Sequence, residues 1–315
     1  MATKKFKVGI VGLGMVGTPI RRWFEENRGY KRGVDLFCYD ADSKKGFSDD
    51  VNKAELIFVA VPTPSNKDGS CNTKMLEQAV GKIADNKIVV VKSTIPPGTV
   101  VGLQQKYPKK HFIFNPEFLT ESKVWEDFIM PSRQVLGSTK FSKNLVAKVI
   151  KTLPSSKEFF VSATEAELSK YASNVFGYIK VVYANILADV SHGLGVDYDN
   201  VKNVMSADPR IGSAWLEANY DKYAGVGGYC FPKDMNAFIH FAENLHRTLA
   251  KQRKKNPKFL VVFKKGIEVL KAVRSYNEVL IAAQGLTMSE VMLHNKEIRT
   301  AKVKPLRSGS TDRSK

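Results

Sequence analysis

The sequence predicts an α/β fold in which an N-terminal doubly wound parallel sheet is followed by an α-helical domain. Three observations carry this. Short apolar runs alternate with helix-like segments as far as residue 162, the pattern of a parallel sheet with helices on both faces. A glycine-rich turn, Gly12-Leu13-Gly14-Met15-Val16-Gly17, stands between the first strand and the first helix. After Ser162 the texture becomes helical, beginning with a long periodic stretch that Gly193 and Gly195 close.

Each element follows from its local pattern. Residues 7–12 (KVGIVG) read as a short buried strand and 15–27 as the helix after it. Residues 34–40 (VDLFCYD) form a strand ending in an acid, and 56–61 (LIFVAV) one that stops at Pro62. Residues 88–92 (IVVVK) lead into Ser93-Thr94-Ile95-Pro96-Pro97-Gly98. Further strands are expected at 111–115, 134–137 and 158–161, with helices at 73–84 and 142–152. The long helix spans 164–192, with Thr164 and Glu167 spaced as a capping box. Shorter helices follow, then the loop Gly225-Val226-Gly227-Gly228 and a helix starting near Pro232. The expected domains are residues 1–162, 163–299 and a basic, disordered tail at 300–315.

Bulk properties narrow the function. A chain of 315 residues exceeds what one core usually fills. It has no apolar run of membrane-spanning length, and Met-Ala-Thr-Lys-Lys leads straight into a strand, so a soluble, cytoplasmic protein is expected. Cys38, Cys71 and Cys230 lack C-x-x-C spacing, which argues against a zinc site or a disulfide framework. The net charge of +18 would suit a polyanion, but from His246 onward 17 Lys and Arg face 5 Asp and Glu. The excess belongs mainly to this last segment, so nucleic acid is not the expected partner.

Four constellations carry chemistry. In the glycine turn, Gly12 permits a tight bend, Gly14 lets a pyrophosphate approach the backbone, and Gly17 lets helix and strand pack closely, with Met15 and Val16 completing the loop. This is a Rossmann-type arrangement, and Asp40, closing the next strand, can bind ribose hydroxyls and favour NAD over NADP, with Lys44 and Lys45 nearby. Around Cys230, in Gly227-Gly228-Tyr229-Cys230-Phe231-Pro232-Lys233-Asp234, a helix start and Lys233 would favour thiolate. The same cysteine reads equally as a small buried hydrophobe. Lys170 and Asn174, four apart on one helix, could hold an oxyanion, or form a solvated face with a Glu167–Lys170 pair. Glu117 and Glu121 follow a strand end, where they could orient a ligand or make the acidic first turn of a helix.

Taken in order, G-L-G-M-V-G at Gly12, V-P-T-P at Val61, S-T-I-P-P-G at Ser93, N-P-E-F-L-T-E at Asn115, P-S-R-Q-V-L-G at Pro131, E-L-S-K-Y-A-S-N at Glu167, D-P-R-I-G at Asp208 and G-G-Y-C-F-P-K-D at Gly227 resemble the UDP-glucose/GDP-mannose dehydrogenase family. The resemblance implies NAD-dependent oxidation of a nucleotide sugar's primary alcohol, UDP-glucose to UDP-glucuronate, in two hydride transfers. Cys230 would form a thiohemiacetal and then a thioester, with Lys170, Asn174, Asp234, Thr94 and Glu117 in the catalytic set. Gly12, Gly14, Met15, Val16, Gly17, Asp40, Lys45, Thr63, Thr94, Glu121 and Lys233 would touch the cofactor. Glu117, Phe118, Leu119, Lys170, Asn174, Gly227 and Cys230 would touch the substrate, as would Arg210, from a partner subunit or its own.

The long helix resembles the family's dimer-forming helix and implies a homodimer. The chain departs from the family in three ways. No counterpart of the C-terminal nucleotide-binding domain is recognised, the segment from Asp40 to Ala54 is shorter, and the span from Arg210 to Cys230 is a few residues longer. The alternatives are a non-catalytic or partner-dependent NAD-binding homologue, or a GDP-mannose or UDP-hexosamine dehydrogenase.

Overall fold

A computed structural model describes residues 5–220, 223–252, 256–292, 303 and 306–307. The expected tail at 300–315 therefore lies largely outside the described residues. Contacts divide the chain into two compact units, residues 1–66 with 71–171, and residues 67–70 with 172–315.

The first unit is built on seven strands: β1 (Val8–Val11), β2 (Leu36–Tyr39), β3 (Leu56–Val59), β4 (Ile88–Val91), β5 (His111–Phe114), β6 (Gln134–Ser138) and β7 (Glu158–Ser162). Between them lie α1 (Gly17–Arg22), α2 (Lys74–Lys82), α3 (Thr99–Lys106), α4 (Val124–Ile129) and α5 (Val146–Ile150). The spatial order is β2-β1-β3-β4-β5-β6-β7. Alternate residues of each strand feed two cores. Val8, Ile10, Leu36, Leu56, Phe58 and Val90 pack on one face with Ile20 and Phe24, while Val11, Ile57, Val59, Val89 and Val91 pack on the other with Leu76, Val80 and Val100. Burial on both faces explains why these strands are continuously apolar.

The first five strands are parallel, as expected, but β6 runs antiparallel to β5. Its register pairs Phe114 with Gly137, so Gln134 and Val135 project past the end of β5. The amide of Asn115 bridges that overhang, donating to Gln134 Oε1 at 3.2 Å and to the Val135 carbonyl at 2.8 Å. The chain thus returns at the sheet edge where it left, which keeps Pro131 to Arg133 beside the loop that follows β5. The helix expected at 15–27 also divides: α1 starts at Gly17, and Trp23–Asn27 form a wider π-helical turn.

A 32-residue helix, α6 (Ala163–Leu194), follows β7 directly. Its capping box lies two residues before the expected one. Ser162 N–H donates to Glu165 and Glu165 N–H to Ser162 Oγ, at 2.8 and 3.3 Å. Glu167, freed from that role, accepts from the N–H groups of Gly98 and Val100 at 2.5 and 2.7 Å, at the start of α3.

The second unit contains α7 (Tyr198–Ser206), a hairpin of β8 (Asn219–Tyr220) and β9 (Tyr223–Ala224), α8 (Cys230–Lys251), α9 (Pro257–Ala283) and α10 (Met288–Val291). Val175, Tyr178 and Val182 of α6 share its core with Met235, Ile239 and Ala242 of α8 and Ile267 of α9. Two amides on α9 grip the backbone before α8. Asn277 accepts from Val226 N–H and donates to Val226 C=O at 2.6 and 3.0 Å, and Gln284 does the same for Ala224 at 2.7 and 2.8 Å. Among the described residues no helix is long and apolar enough to cross a membrane.

Candidate active site

In the first unit the loops after β1, β3, β4 and β5 leave the carboxyl ends of parallel strands, where doubly wound folds bind their ligands. The order of strand connections reverses between β1 and β3, and the glycine loop leaves β1 at that point. Gly12 has φ +89°, and a methyl there would meet the Ala60 carbonyl oxygen at 2.7 Å. A methyl on Gly17 would lie 1.8 Å from the Gly12 carbonyl oxygen, whereas one on Gly14 would find nothing within 4 Å. Two of the glycines are therefore needed by the fold itself, and the third leaves an open cradle that fits a dinucleotide phosphate. Gly14→Ala should fold normally yet bind NAD at least roughly tenfold more weakly, a loss of about 1.4 kcal/mol. Gly17→Ala should lose the native fold's stability, and the two outcomes separate in a thermal melt run beside an NAD titration.

Asp40, next after β2, is already committed. Its Oδ2 accepts from Leu13 N–H at 2.6 Å and from Lys45 at 3.0 Å, and its Oδ1 from Asp42 N–H at 2.9 Å. Lys45 also donates to the Leu13 carbonyl at 3.2 Å. Burial works against the carboxylate, but those N–H groups and Lys45 hold it below its usual range. Met15 is exposed, and Val16 packs against the core beneath the loop. Between the next two loops, Thr63 Oγ1 donates to the Thr94 carbonyl at 2.8 Å and Ser93 Oγ to the Val61 carbonyl at 2.6 Å.

Glu117 and Lys170 form a buried ion pair at 2.9 Å, with side chains 9% and 5% exposed. The second carboxylate oxygen of Glu117 accepts from Leu119 N–H at 2.7 Å. Burial would raise this carboxyl, yet Lys170 and the N–H bond outweigh it and hold it low. Phe118 lies under the Arg133 guanidinium, 3.6 Å from ring centroid to Cζ. Glu121 is exposed in the first turn of a short 3₁₀ segment, Glu121–Lys123. A cavity of about 170 Å³ opens here, lined by Lys92, Glu117, Phe118, Leu119 and Arg133 among others. The sequence reading missed Lys92 and Arg133. The signal for Lys92 was a lysine closing a strand of four apolar residues, all buried.

The Glu167–Lys170 pair considered from sequence does not form, because Glu167 caps α3 instead. Burial pushes the fully buried Glu167 carboxyl up to about 7, against those two N–H bonds. A raised carboxyl stabilises the fold most below pH 4.5, its usual value, and that contribution disappears as pH rises through 7. Denaturant midpoints should fall across this window by the equivalent of about 3 kcal/mol, and Glu167→Gln should flatten the slope.

In the second unit, Asn174 Nδ2 donates to Asp234 Oδ2 at 2.5 Å, and Lys233 pairs with Asp234 Oδ1. All three are buried, with Asp234 1% exposed. Cys230 opens α8, whose N-cap, Tyr229, provides no side-chain cap. The ammonium of Lys233 is thus answered by Asp234. Glycine at 227 has a packing cause: a methyl there would come within 1.8 Å of the Tyr223 hydroxyl. The open position is Gly228, with φ +72° and nothing within 4 Å. Arg210 lies on the surface, its side chain 88% exposed and paired with Asp208 at 2.6 Å.

The first unit is a mainly parallel α/β sheet with a glycine cradle at its switch point, and residues 42–153 match the profile of the UDP-glucose/GDP-mannose dehydrogenase family, NAD binding domain. Residues 164–256 match that of the family's central domain. The chain belongs to the UDP-glucose/GDP-mannose dehydrogenase family. Its first unit is an NAD-binding domain, and the glycine loop, which precedes the matched residues, fits that cofactor on its own geometry.

This family member is 33% identical over 232 residues to the UDP-glucose 6-dehydrogenase of Rickettsia felis, covering 68% of the chain and 51% of the relative. It is 34% identical over 224 residues to that of Pseudomonas aeruginosa, covering 65% and 47%. A UDP-glucose dehydrogenase structure from the archaeon Pyrobaculum islandicum superposes with a TM-score of 0.72 at 28% identity, covering 88% of this chain and 69% of that one. The chain spans about half the length of the curated relatives it matches.

Proposed function

We propose that this family member is an NAD-dependent nucleotide-sugar dehydrogenase that oxidises the primary alcohol of UDP-glucose, yielding UDP-glucuronate. The observation that carries the reading is a cysteine opening α8 with the buried Asn174–Asp234–Lys233 set in the same turn and its neighbouring helix. NAD, held by the Gly12 to Gly17 loop with Asp40, Lys45, Thr63, Thr94, Glu121 and Lys233, would accept the two hydrides.

Asn174 steadies the charge developing on the sugar's C6 oxygen by hydrogen bonding, and Lys170 receives the hydroxyl proton as the first hydride leaves the carbon. Cys230 Sγ then adds to the aldehyde carbon to give a thiohemiacetal, and loss of hydride from that carbon leaves a thioester. Asp234 orients the water whose oxygen attacks the thioester carbon, expelling the thiol and freeing the carboxylate. Glu117, with Thr94, keeps Lys170 in place, and Phe118, Leu119 and Gly227 contact the sugar nucleotide. Arg210, exposed on its own chain, reaches the substrate of a second copy.

A homodimer is part of this reading. Phe176, Tyr183 and Val190 recur at sevens along α6 and are 59%, 50% and 53% exposed, a stripe that a second helix would cover. Tyr183→Glu should halve the mass seen by light scattering, and an unchanged mass would remove the dimer.

The test of function is NADH formation with purified protein, NAD and UDP-glucose, beside GDP-mannose and UDP-hexosamines. About two NADH per sugar is the expected stoichiometry. One NADH per sugar would refute the thioester route, and NAD binding without turnover on any sugar would leave an NAD-binding homologue without this activity.

A further inference from the structure

The segment leading into Cys230 is held at every second residue by the helices that follow it. The amide of Gln284 accepts from Ala224 N–H and donates to Ala224 C=O, at 2.7 and 2.8 Å. Asn277, about two helical turns earlier, does the same for Val226, at 2.6 and 3.0 Å. The carbonyl of Val291, in α10, then accepts from Gly228 N–H at 2.8 Å. In an extended chain the N–H and C=O of one residue face the same edge, so these side-chain amides stand where a neighbouring strand would pair. On the other side β9 pairs with β8, Tyr223 opposite Tyr220.

The residues between the held ones are glycines, and the holding groups explain why. A methyl on Gly225 would lie 2.8 Å from Asn277 Oδ1, and one on Gly227 would lie 3.0 Å from the Val291 carbonyl oxygen. Both amides are fixed in turn: Asn277 is 0% and Gln284 3% exposed, and Gln284 Nε2 also donates to the Leu280 carbonyl at 2.8 Å. Losing either one would leave a backbone N–H and C=O without partners. All of these holding groups lie past residue 256, where the match to the family's central domain ends. Two residues beyond Gly228, α8 starts with Cys230.

We propose that Asn277 and Gln284 are positioning residues for Cys230: by fixing residues 224–228 they set where α8 begins and so where its thiol is presented. The consequence for catalysis rests on the dehydrogenase reading. A displaced thiol adds to the aldehyde carbon less often, so the reaction stops more often after the first hydride transfer.

The test that needs no substrate is alkylation of the full chain by iodoacetamide, followed at each cysteine by peptide mass spectrometry. Cys230 and Cys71 are half-buried and Cys38 is buried, so the other two report on the rest of the fold. Gln284→Met and Asn277→Ser should each speed alkylation at Cys230 about tenfold, with Cys71 unchanged and Cys38 unreactive. An unchanged or slower rate at Cys230 in both variants overturns the proposal. Where one of them opens all three cysteines together, Gln284→Asn, which keeps an amide but shortens its reach, is judged by the same outcomes. Acceleration of all three cysteines in every variant would make the amides supports of the whole fold and overturn a local role.

The catalytic arm uses UDP-glucose. Both variants should lower kcat about tenfold with KM little changed, and NADH per sugar in a single turnover should fall from about two toward one. A lower kcat that still yields two NADH per sugar would reflect less active protein and refute the positioning of the cysteine. Absence of turnover in the wild type would count against the dehydrogenase reading, while alkylation would still decide whether the amides place Cys230.

Discussion

Cys230→Ser is expected to lower steady-state NADH formation by about 10³-fold or more, while the protein melts at the wild-type temperature. Serine is nearly isosteric with cysteine, and the half-buried position at the start of α8 tolerates the change. What disappears is a nucleophile able to add to the aldehyde and later leave from an acyl carbon. A serine hydroxyl is poorly ionised near neutrality and gives an ester, a less reactive acyl group. The distinguishing measurement is a single turnover with enzyme in excess. At most one NADH per sugar should form, since the first hydride transfer needs no bond to the cysteine. Full turnover in this variant would remove Cys230 from the mechanism, and with it the chemical reason for the buried Lys233 and Asp234 in the same turn.

Lys170→Met is expected to cost about 3 kcal/mol of stability, measured as a shift of the urea midpoint at constant slope. The methionine fills most of the lysine's volume, so packing is preserved and the loss reports the Glu117 carboxylate left without its partner, 9% exposed. The figure is at the lower end for a broken buried pair because Glu117 still accepts from Leu119 N–H. Adding Glu117→Gln should recover much of it, since the stranded charge is then gone. On the proposed mechanism the same single variant should abolish turnover, because it removes the amine that receives the alcohol's proton. A wild-type midpoint would show that the pair contributes nothing to the fold.

The legible part of this chain was the part encoded locally. Strands buried on both faces show as unbroken apolar runs, which is why β1, β3 and β4 could be placed from residues alone. Gly12, Gly14 and Gly17 were readable as a loop from their spacing between a strand and a helix, although Gly12 is required by the distant Ala60 carbonyl and Gly14 meets nothing within 4 Å. Even so, the local signal misassigned some details. Thr164 and Glu167 have capping-box spacing, yet the box formed at Ser162 and Glu165, because a helix that starts straight from β7 takes the first hydroxyl it meets. At Gly227 the structure adds a packing requirement that its neighbours in sequence do not show, since a methyl there would meet the Tyr223 hydroxyl.

The amino-acid sequence by itself determined the α/β class, the glycine cradle, the long helix and the cysteine at a helix start, since each depends on residues within a few positions of one another. Only the tertiary structure decided which charges face each other. Glu117 meets Lys170, Glu167 turns to α3, Lys92 lies in the cavity behind Glu117, and Arg210 stays at the surface. Asn174 and Asp234 are 60 positions apart and touch only once the second unit has closed. Such pairings leave no periodic trace, because a side chain's charge state depends on the burial and partners that distant segments bring to it.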